Sequence, residues 1–262
     1  MKPILSFFRF FYCLYAFLWF LILLIGLTPG ILLAALLTQP QSGNLVNYLC
    51  RFWSFTWFGL IGILHQNVYS DKDDPAVSYV FVANHISYLD IPVIFRAIRP
   101  HMIRVLGKAE MARIPLFGTL YKMAVVMVDR SSTENRARSL LVLKKMLQRQ
   151  ISVFIFPEGT FNESGQPLKA FYPGAFQLAI ETNTPIRPVV FLGTHRLMHY
   201  RSVWTLRPGI CRAIHLPAIP VEGLSVKDVS ALMGQVHRVM ERTIIEYQLK
   251  ENRIAGTNRH TA

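Results

Sequence analysis

His85 and Asp90 stand five residues apart in Asn84-His85-Ile86-Ser87-Tyr88-Leu89-Asp90, directly after the apolar run 79–83. An imidazole beside a carboxylate is the chemistry of a general base. The carboxylate fixes the ring's tautomer and stabilises the imidazolium that forms when the ring takes a proton. On a continuous helix, five residues would set the two side chains about 140° apart around the axis. They meet only if His85 lies in a loop and the helix starts at Ser87. Ser87 as N-cap with Asp90 at N3 makes a capping box that fixes such a start. The plainer alternative is that Asp90 serves the cap alone and His85 is a surface loop residue.

Two further clusters follow apolar runs in the same way. Phe156-Pro157-Glu158-Gly159-Thr160 comes after the run 152–156. Gly159 permits close backbone approach, and Glu158 and Thr160 offer a carboxylate and a hydroxyl to a polar ligand. Ordinary turn chemistry accounts for the same residues. Asp129-Arg130 ends the run 124–128, and an arginine there suits a phosphate because its planar fork binds oxygens in pairs. Taken alone, Arg130 reads equally as a solvated charge or an ion-pair partner.

These clusters need a scaffold of strands whose ends lie together. β-rich runs at 79–83, 124–128, 152–156, 186–192 and 210–216 alternate with helical patterns at 133–149 and 172–181. That alternation predicts an α/β domain over residues 66–251, with a mixed central sheet flanked by helices. Ser225-Val226-Lys227-Asp228 is a capping-box pattern, after which apolar residues recur at helical spacing from Val229 to Tyr247. The polar stretch 252–262 is expected to be a frayed tail.

The N-terminal 65 residues differ in texture. No Asp, Glu, Lys or Arg occurs from Phe10 through Cys50, and residues 10–27 are almost continuously apolar, enough for a bilayer, where about 20 residues suffice. The run is too long for a typical signal-peptide core. A second apolar stretch, 45–64, carries Arg51, which is costly at mid-membrane and is better placed with Trp53 and Trp57 at the headgroups. Residues 1–65 therefore read as a two-helix membrane anchor, either a hairpin or a one-leaflet wedge. Lys2 and Arg9 favour a cytoplasmic N-terminus, and a returning anchor keeps the domain on the cytoplasmic face.

Composition agrees with a membrane setting. The chain of 262 residues is 52% hydrophobic and 16% charged, against about 25% charged in soluble domains. Its formal charge of +13 calls for anionic partners. Anionic membrane lipids fit the hydrophobicity, and no nucleic acid is expected in the absence of a zinc-finger or RNA-binding motif. Cys13, Cys50 and Cys211 are too few and too scattered for a disulfide scaffold. His195 and His199 share a helical spacing but lack the glutamate of a zinc protease, so no metal site is expected.

The order and spacing of the clusters resemble the glycerophospholipid acyltransferase family, in particular the 1-acylglycerol-3-phosphate acyltransferases. The family's Asn-His-x4-Asp motif is matched by Asn84, His85 and Asp90. Its aspartate-arginine pair is matched by Asp129-Arg130, and an upstream Lys with Pro-x-Phe-Gly by Lys108 and Pro115-Leu116-Phe117-Gly118. Phe-Pro-Glu-Gly-Thr-Arg is matched through Thr160, and the last motif by Thr184-Pro185-Ile186-Arg187-Pro188-Val189-Val190. Two positions depart: Phe161 stands where the family has an arginine that helps hold the acceptor's phosphate, and Ala124 replaces a glycine. Lys169 is a candidate for the missing charge.

The resemblance implies the glycerolipid acyltransferase fold and transfer of a fatty acyl group from an acyl-CoA or acyl carrier protein thioester to a lysophospholipid hydroxyl. The expected acceptor is 1-acyl-sn-glycerol-3-phosphate, giving phosphatidic acid, without a cofactor beyond the thioester. His85 is expected to act as general base oriented by Asp90, with Lys108, Arg130, Glu158, Gly159, Thr160 and Lys169 binding substrate. Another lysolipid acceptor, or a catalytically silent lipid-binding protein of the same fold, are the competing expectations.

Overall fold

Val80-Phe81-Val82-Ala83, Ser152-Val153-Phe154-Ile155 and Ile186–Leu192 are apolar on both sides, the composition of strands covered on both faces. In the computed structural model, which describes residues 2–113, 117–128 and 133–260, these runs are central strands. The strands are β1 (Ile63–Tyr69), β2 (Val80–Ala83), β3 (Ile103–Lys108), β4 (Val125–Val128), β5 (Ser152–Ile155), β6 (Ile186–Leu192) and β7 (Gly209–His215). They form one sheet in the order β1-β7-β6-β2-β5-β3-β4. Every pairing is parallel except β6 with β7, so the sheet is mixed, as expected. The carboxyl ends of β2, β5, β3 and β6 therefore lie along one edge of the sheet.

The helices are α1 (Lys2–Gly26), α2 (Thr28–Ala35), α3 (Gln41–Leu60), α4 (Asp90–Ala97), α5 (Phe117–Ala124), α6 (Thr133–Gln148), α7 (Gly174–Glu181), α8 (Thr194–Leu197) and α9 (Val229–His260). Alternation along each strand divides the core into two layers. Phe81, Phe154 and Phe191 point to the layer that receives α1, α3 and α4. Val82, Val153 and Val190 point to the layer under α6, α7 and α9. All six are 0% exposed. Truncating one of the buried phenylalanines to alanine costs about 3–5 kcal/mol in such cores.

The two-helix anchor needs correction. Within the described residues one helix, not clearly two, is long and apolar enough to cross a membrane: Ser6–Gly26 of α1. α3 instead packs on the domain. Ser54 Oγ donates to Pro92 O at 2.7 Å, and the Arg51 guanidinium donates to Ile98 O, Pro100 O and His101 O. Trp57 is 6% exposed and donates its indole N–H to Ala16 O of α1 at 2.9 Å. Arg51 and Trp57 thus satisfy protein carbonyls rather than lipid headgroups, because a buried donor must find an acceptor wherever the fold offers one. The sheet also begins at Ile63, within the stretch assigned to the anchor.

Other boundaries shift slightly. β7 is Gly209–His215 and α7 starts at Gly174, after Pro173. The 225–228 capping pattern forms: Ser225 N–H donates to Asp228 Oδ2 at 2.8 Å, ahead of α9. α9 then continues through the polar stretch to His260, where fraying is expected from the sequence. Cys13, Cys50 and Cys211 are free and buried.

Candidate active site

β2 ends at Ala83, and the next residue locks the loop to its neighbour. Asn84 donates Nδ2 to Phe191 O at 3.0 Å and accepts from Phe191 N at 2.7 Å, so its amide continues the β2–β6 ladder as a side chain. His85 follows in the loop and Asp90 opens α4. Their side chains meet: His85 Nδ1 lies 2.9 Å from Asp90 Oδ2. The helix begins three residues after Ser87, with a single turn in between, closed by Asp90 N–H donating to Ser87 O at 3.1 Å. Ser87 Oγ accepts from Leu89 N and donates to Met198 O at 2.6 Å. Ser87 is 0% exposed, and its hydroxyl is occupied as structure.

Asp90 is also 0% exposed. Oδ2 accepts the amides of Ile86 at 2.7 Å and Ser87 at 2.8 Å in addition to the imidazole, and Oδ1 accepts the hydroxyl of Thr194 at 2.7 Å. A buried carboxylate without such donors would be costly. With Nδ1 as the donor to Asp90, the other ring nitrogen, Nε2, is the acceptor. Sequence reasoning missed Thr194. It lies just past β6, and its only local signal is Gly193-Thr194 at the end of an apolar strand. Gly193 turns the chain there at φ +82°, and a Cβ at that position would sit 2.8 Å from Ile210 O. Only glycine makes that turn without strain.

The second cluster sits beside the first. Gly159 takes φ +75°, and its amide donates to Phe156 O at 3.0 Å. Glu158 is 1% exposed. Its Oε1 accepts His85 N and its Oε2 accepts Lys169 N, both at 2.9 Å. Glu158 is therefore a brace between three loop segments, not an acceptor open to ligand as expected. Burial pushes its carboxyl up to about 7, against the opposing pull of the two amide bonds. Thr160 is exposed and accepts Lys169 Nζ at 2.6 Å.

Aromatic rings enclose the imidazole. Phe156 stacks on His85 with centroids 4.0 Å apart and 13° between planes, and Phe161 covers it at 4.2 Å and 47°. Phe161 in turn touches Tyr88 at 4.8 Å and stacks on Tyr200 at 6.1 Å. The His85 side chain is left 15% exposed. The residue that departs from the expected arginine thus lies directly on the candidate base.

Lys108 is exposed at the carboxyl end of β3, on the same sheet edge as the dyad. Asp129, Arg130, Pro115 and Leu116 lie outside the described residues. His195 and His199 have ring centroids 6.3 Å apart, and among the described residues no three His, Cys, Asp or Glu side chains gather as metal ligands would.

A mixed sheet covered on both faces, with a buried-carboxylate-supported histidine at its carboxyl edge, defines a class of α/β proteins that build their sites from strand ends. Residues 65–192 match the family model described as Acyltransferase. The chain is 30% identical over 192 residues to the 1-acyl-sn-glycerol-3-phosphate acyltransferase of Escherichia coli (strain K12), covering 71% of this chain and 76% of that protein. It is 32% identical over 168 residues to the 1-acyl-sn-glycerol-3-phosphate acyltransferase alpha of Ovis aries, covering 63% of this chain and 58% of that protein. The crystal structure of the 1-acyl-sn-glycerophosphate acyltransferase of Thermotoga maritima superposes with a TM-score of 0.72 at 21% identity, covering 95% of this chain and 98% of that one. The chain belongs to the acyltransferase family.

Thr194→Val leaves Asp90 Oδ1 without its hydroxyl donor in a buried site. A stability loss of about 1–3 kcal/mol is expected, measured by denaturant unfolding, with Thr194→Ser restoring it. Glu158 supplies a pH signature. With its native pKa near 7 and an ordinary value of 4.5, the folded chain binds more protons than the unfolded chain between those values. The contribution of Glu158 to stability therefore falls as pH rises from 4.5 to about 7. The stability of wild type relative to Glu158→Gln should fall over that window. A difference that does not change with pH there would show that Glu158 is not the titrating group.

Proposed function

We propose that the chain is a membrane-anchored acyltransferase that moves a fatty acyl group from a thioester, acyl-CoA or acyl carrier protein, to the free hydroxyl of a lysophospholipid. The acceptor is 1-acyl-sn-glycerol-3-phosphate and the product phosphatidic acid. The observation that carries this reading is the His85–Asp90 contact of 2.9 Å, with Asp90 fully buried and held by donors from two loops. The names of the relatives and the apolar α1 support the substrate class.

In this mechanism Nε2 of His85 takes the acceptor's hydroxyl proton as the oxygen attacks the thioester carbonyl. The tetrahedral intermediate expels the thiolate, the C–S bond breaks, and the imidazolium returns its proton to sulfur. Asp90 keeps Nδ1 protonated throughout and so keeps Nε2 available. Glu158 positions the loop through the His85 amide. The ring stack around His85 excludes water from the reacting centre, which strengthens the electrostatics there. Phosphate binding falls to Lys108, Arg130 and Lys169, with Gly159 and Thr160 shaping the adjacent loop. Lys169 Nζ, on Thr160 Oγ1 at 2.6 Å, stands beside the loop in which Phe161 replaces a cation.

α1 reaches the site's outer wall. Phe10 stacks on Trp204 at 5.3 Å, and Cys13 Sγ lies 3.6 Å from Leu206 O, in the segment that follows the Thr194 helix. An anchor in that place brings membrane lipid to the carboxyl edge of the sheet. α1 enters one leaflet without crossing, so the cytoplasmic N-terminus that Lys2 and Arg9 favour and the domain stay on the same face, where acyl thioesters are made. One observation favours a second reading of the acceptor: Phe161, at 4.2 Å from the His85 ring, offers no charge to a terminal phosphate. A lysolipid with a differently placed headgroup fits that contact.

His85→Ala should lower acyl transfer by at least about 10²–10⁴-fold with unchanged melting and membrane recovery. Wild-type turnover in that variant would remove the mechanism. Lys169→Ala should raise the KM for 1-acyl-sn-glycerol-3-phosphate about tenfold with little change in kcat, the loss of one exposed charge-assisted contact. A panel of lysolipid acceptors with a labelled thioester decides between the two acceptor readings.

A further inference from the structure

Arg51 of α3, Arg96 of α4 and Arg99 just beyond α4 line a cavity of about 160 Å³ with Phe55, His65 and Asn67. This cavity is separate from the dyad. α4 starts at Asp90, and Arg96 lies roughly 9 Å further along its axis. Among the described residues, no carboxylate forms an ion pair with any of the three arginines. Arg51 is turned to backbone carbonyls, and Arg96 lies over the rings of Phe55 at 5.0 Å and Phe58 at 5.6 Å. Nε of Arg51 and Nε of Arg96 are buried with no hydrogen-bond partner. Like charges gathered without a carboxylate counter-ion fit an anion.

The surface around the cavity identifies the anion's carrier. Tyr48, Phe52 and Phe55 are 57%, 59% and 62% exposed and lie on one stripe of α3, at spacings of four and three. On one flank of that stripe Trp53 and Trp57 pack on Phe20 of α1, at 5.2 and 5.6 Å. On the other flank, about 100° around the helix from Phe52, is Arg51. The order across the surface is therefore apolar α1, aromatic stripe, arginine cluster. That is the sequence of acyl region, interface and headgroup met on leaving a bilayer. A volume of about 160 Å³ admits a phosphate-bearing headgroup and is too small to enclose a lipid, since sites that enclose small molecules run to about 300–1,000 Å³.

We infer that Arg96 and Arg99 bind the phosphate of an anionic bilayer phospholipid, at a headgroup site distinct from the acceptor site at His85. The inference rests on the membrane setting proposed above. The lipid's chains lie along Tyr48, Phe52 and Phe55, and the contact fixes the orientation of the domain on the membrane that α1 enters.

The test is co-sedimentation of the full chain with vesicles of phosphatidylcholine alone and of phosphatidylcholine doped with phosphatidylglycerol. Each cation at an anionic surface contributes about a fivefold gain in binding, so Arg99→Gln should lose about fivefold and Arg96→Gln/Arg99→Gln about thirtyfold on doped vesicles. Binding to pure phosphatidylcholine, which α1 supplies, should not change, and added salt should erase the difference. Unchanged binding to doped vesicles, or an equal loss on both vesicle types, overturns the site. Arg99 is exposed and its single variant leaves the packing of Arg96 intact, so a misfolded double variant does not decide the result. Acyl transfer assayed in detergent micelles should be unchanged in Arg99→Gln, which separates this docking from the reaction.

Discussion

The buried carboxylate of Asp90 is the constraint on which the rest of the site depends. It has no solvent to stabilise it, and it gathers every available donor: the His85 ring, the amides of Ile86 and Ser87, and the Thr194 hydroxyl. Each of those bonds is worth more in a buried place than on the surface, and each missing one would cost more. The loop from Asn84 to Asp90 is consequently wound around one atom, Oδ2, while Thr194 ties that loop to β6. Histidine orientation follows from carboxylate burial.

A second brace works from the opposite side. Glu158 joins the His85 amide to the Lys169 amide, so the loop after β5 is fastened to the loop after β2. Phe156 and Phe161 then close over the imidazole on its two faces. The consequence is an imidazole with a fixed Nδ1 partner, a fixed backbone and little water around it. Phe161 desolvates the ring from the position where the resembled family has an arginine.

The apolar N-terminal helix is less separate from the domain than its composition suggests. α1 is mostly exposed and apolar, yet it is pinned by Trp57 to α3 and by Phe10 to Trp204. α3 transmits that attachment to α4, the helix that starts with Asp90, through the Ser54–Pro92 hydrogen bond and the arginine contacts beyond. The apolar N-terminal helix and the dyad are therefore linked through α3 and α4.

The sequence by itself determined which residues follow strand ends, because alternating apolar runs and turn residues are local signals. It also determined that His85 and Asp90 could meet only across a loop, since five residues on a helix point apart. β6 was legible to the residue, and β2, β4 and β5 to within one. What the tertiary structure decided involves partners distant in the chain. Thr194 reaches Asp90 across 104 residues, Glu158 turns inward to the His85 amide, and Arg51 and Trp57 turn from expected lipid to protein carbonyls. Apart from Gly193-Thr194 at the end of an apolar strand, none of these has a local signature. A buried polar group takes whichever acceptor or donor the packed elements bring within about 3 Å, and only the fold determines which one that is.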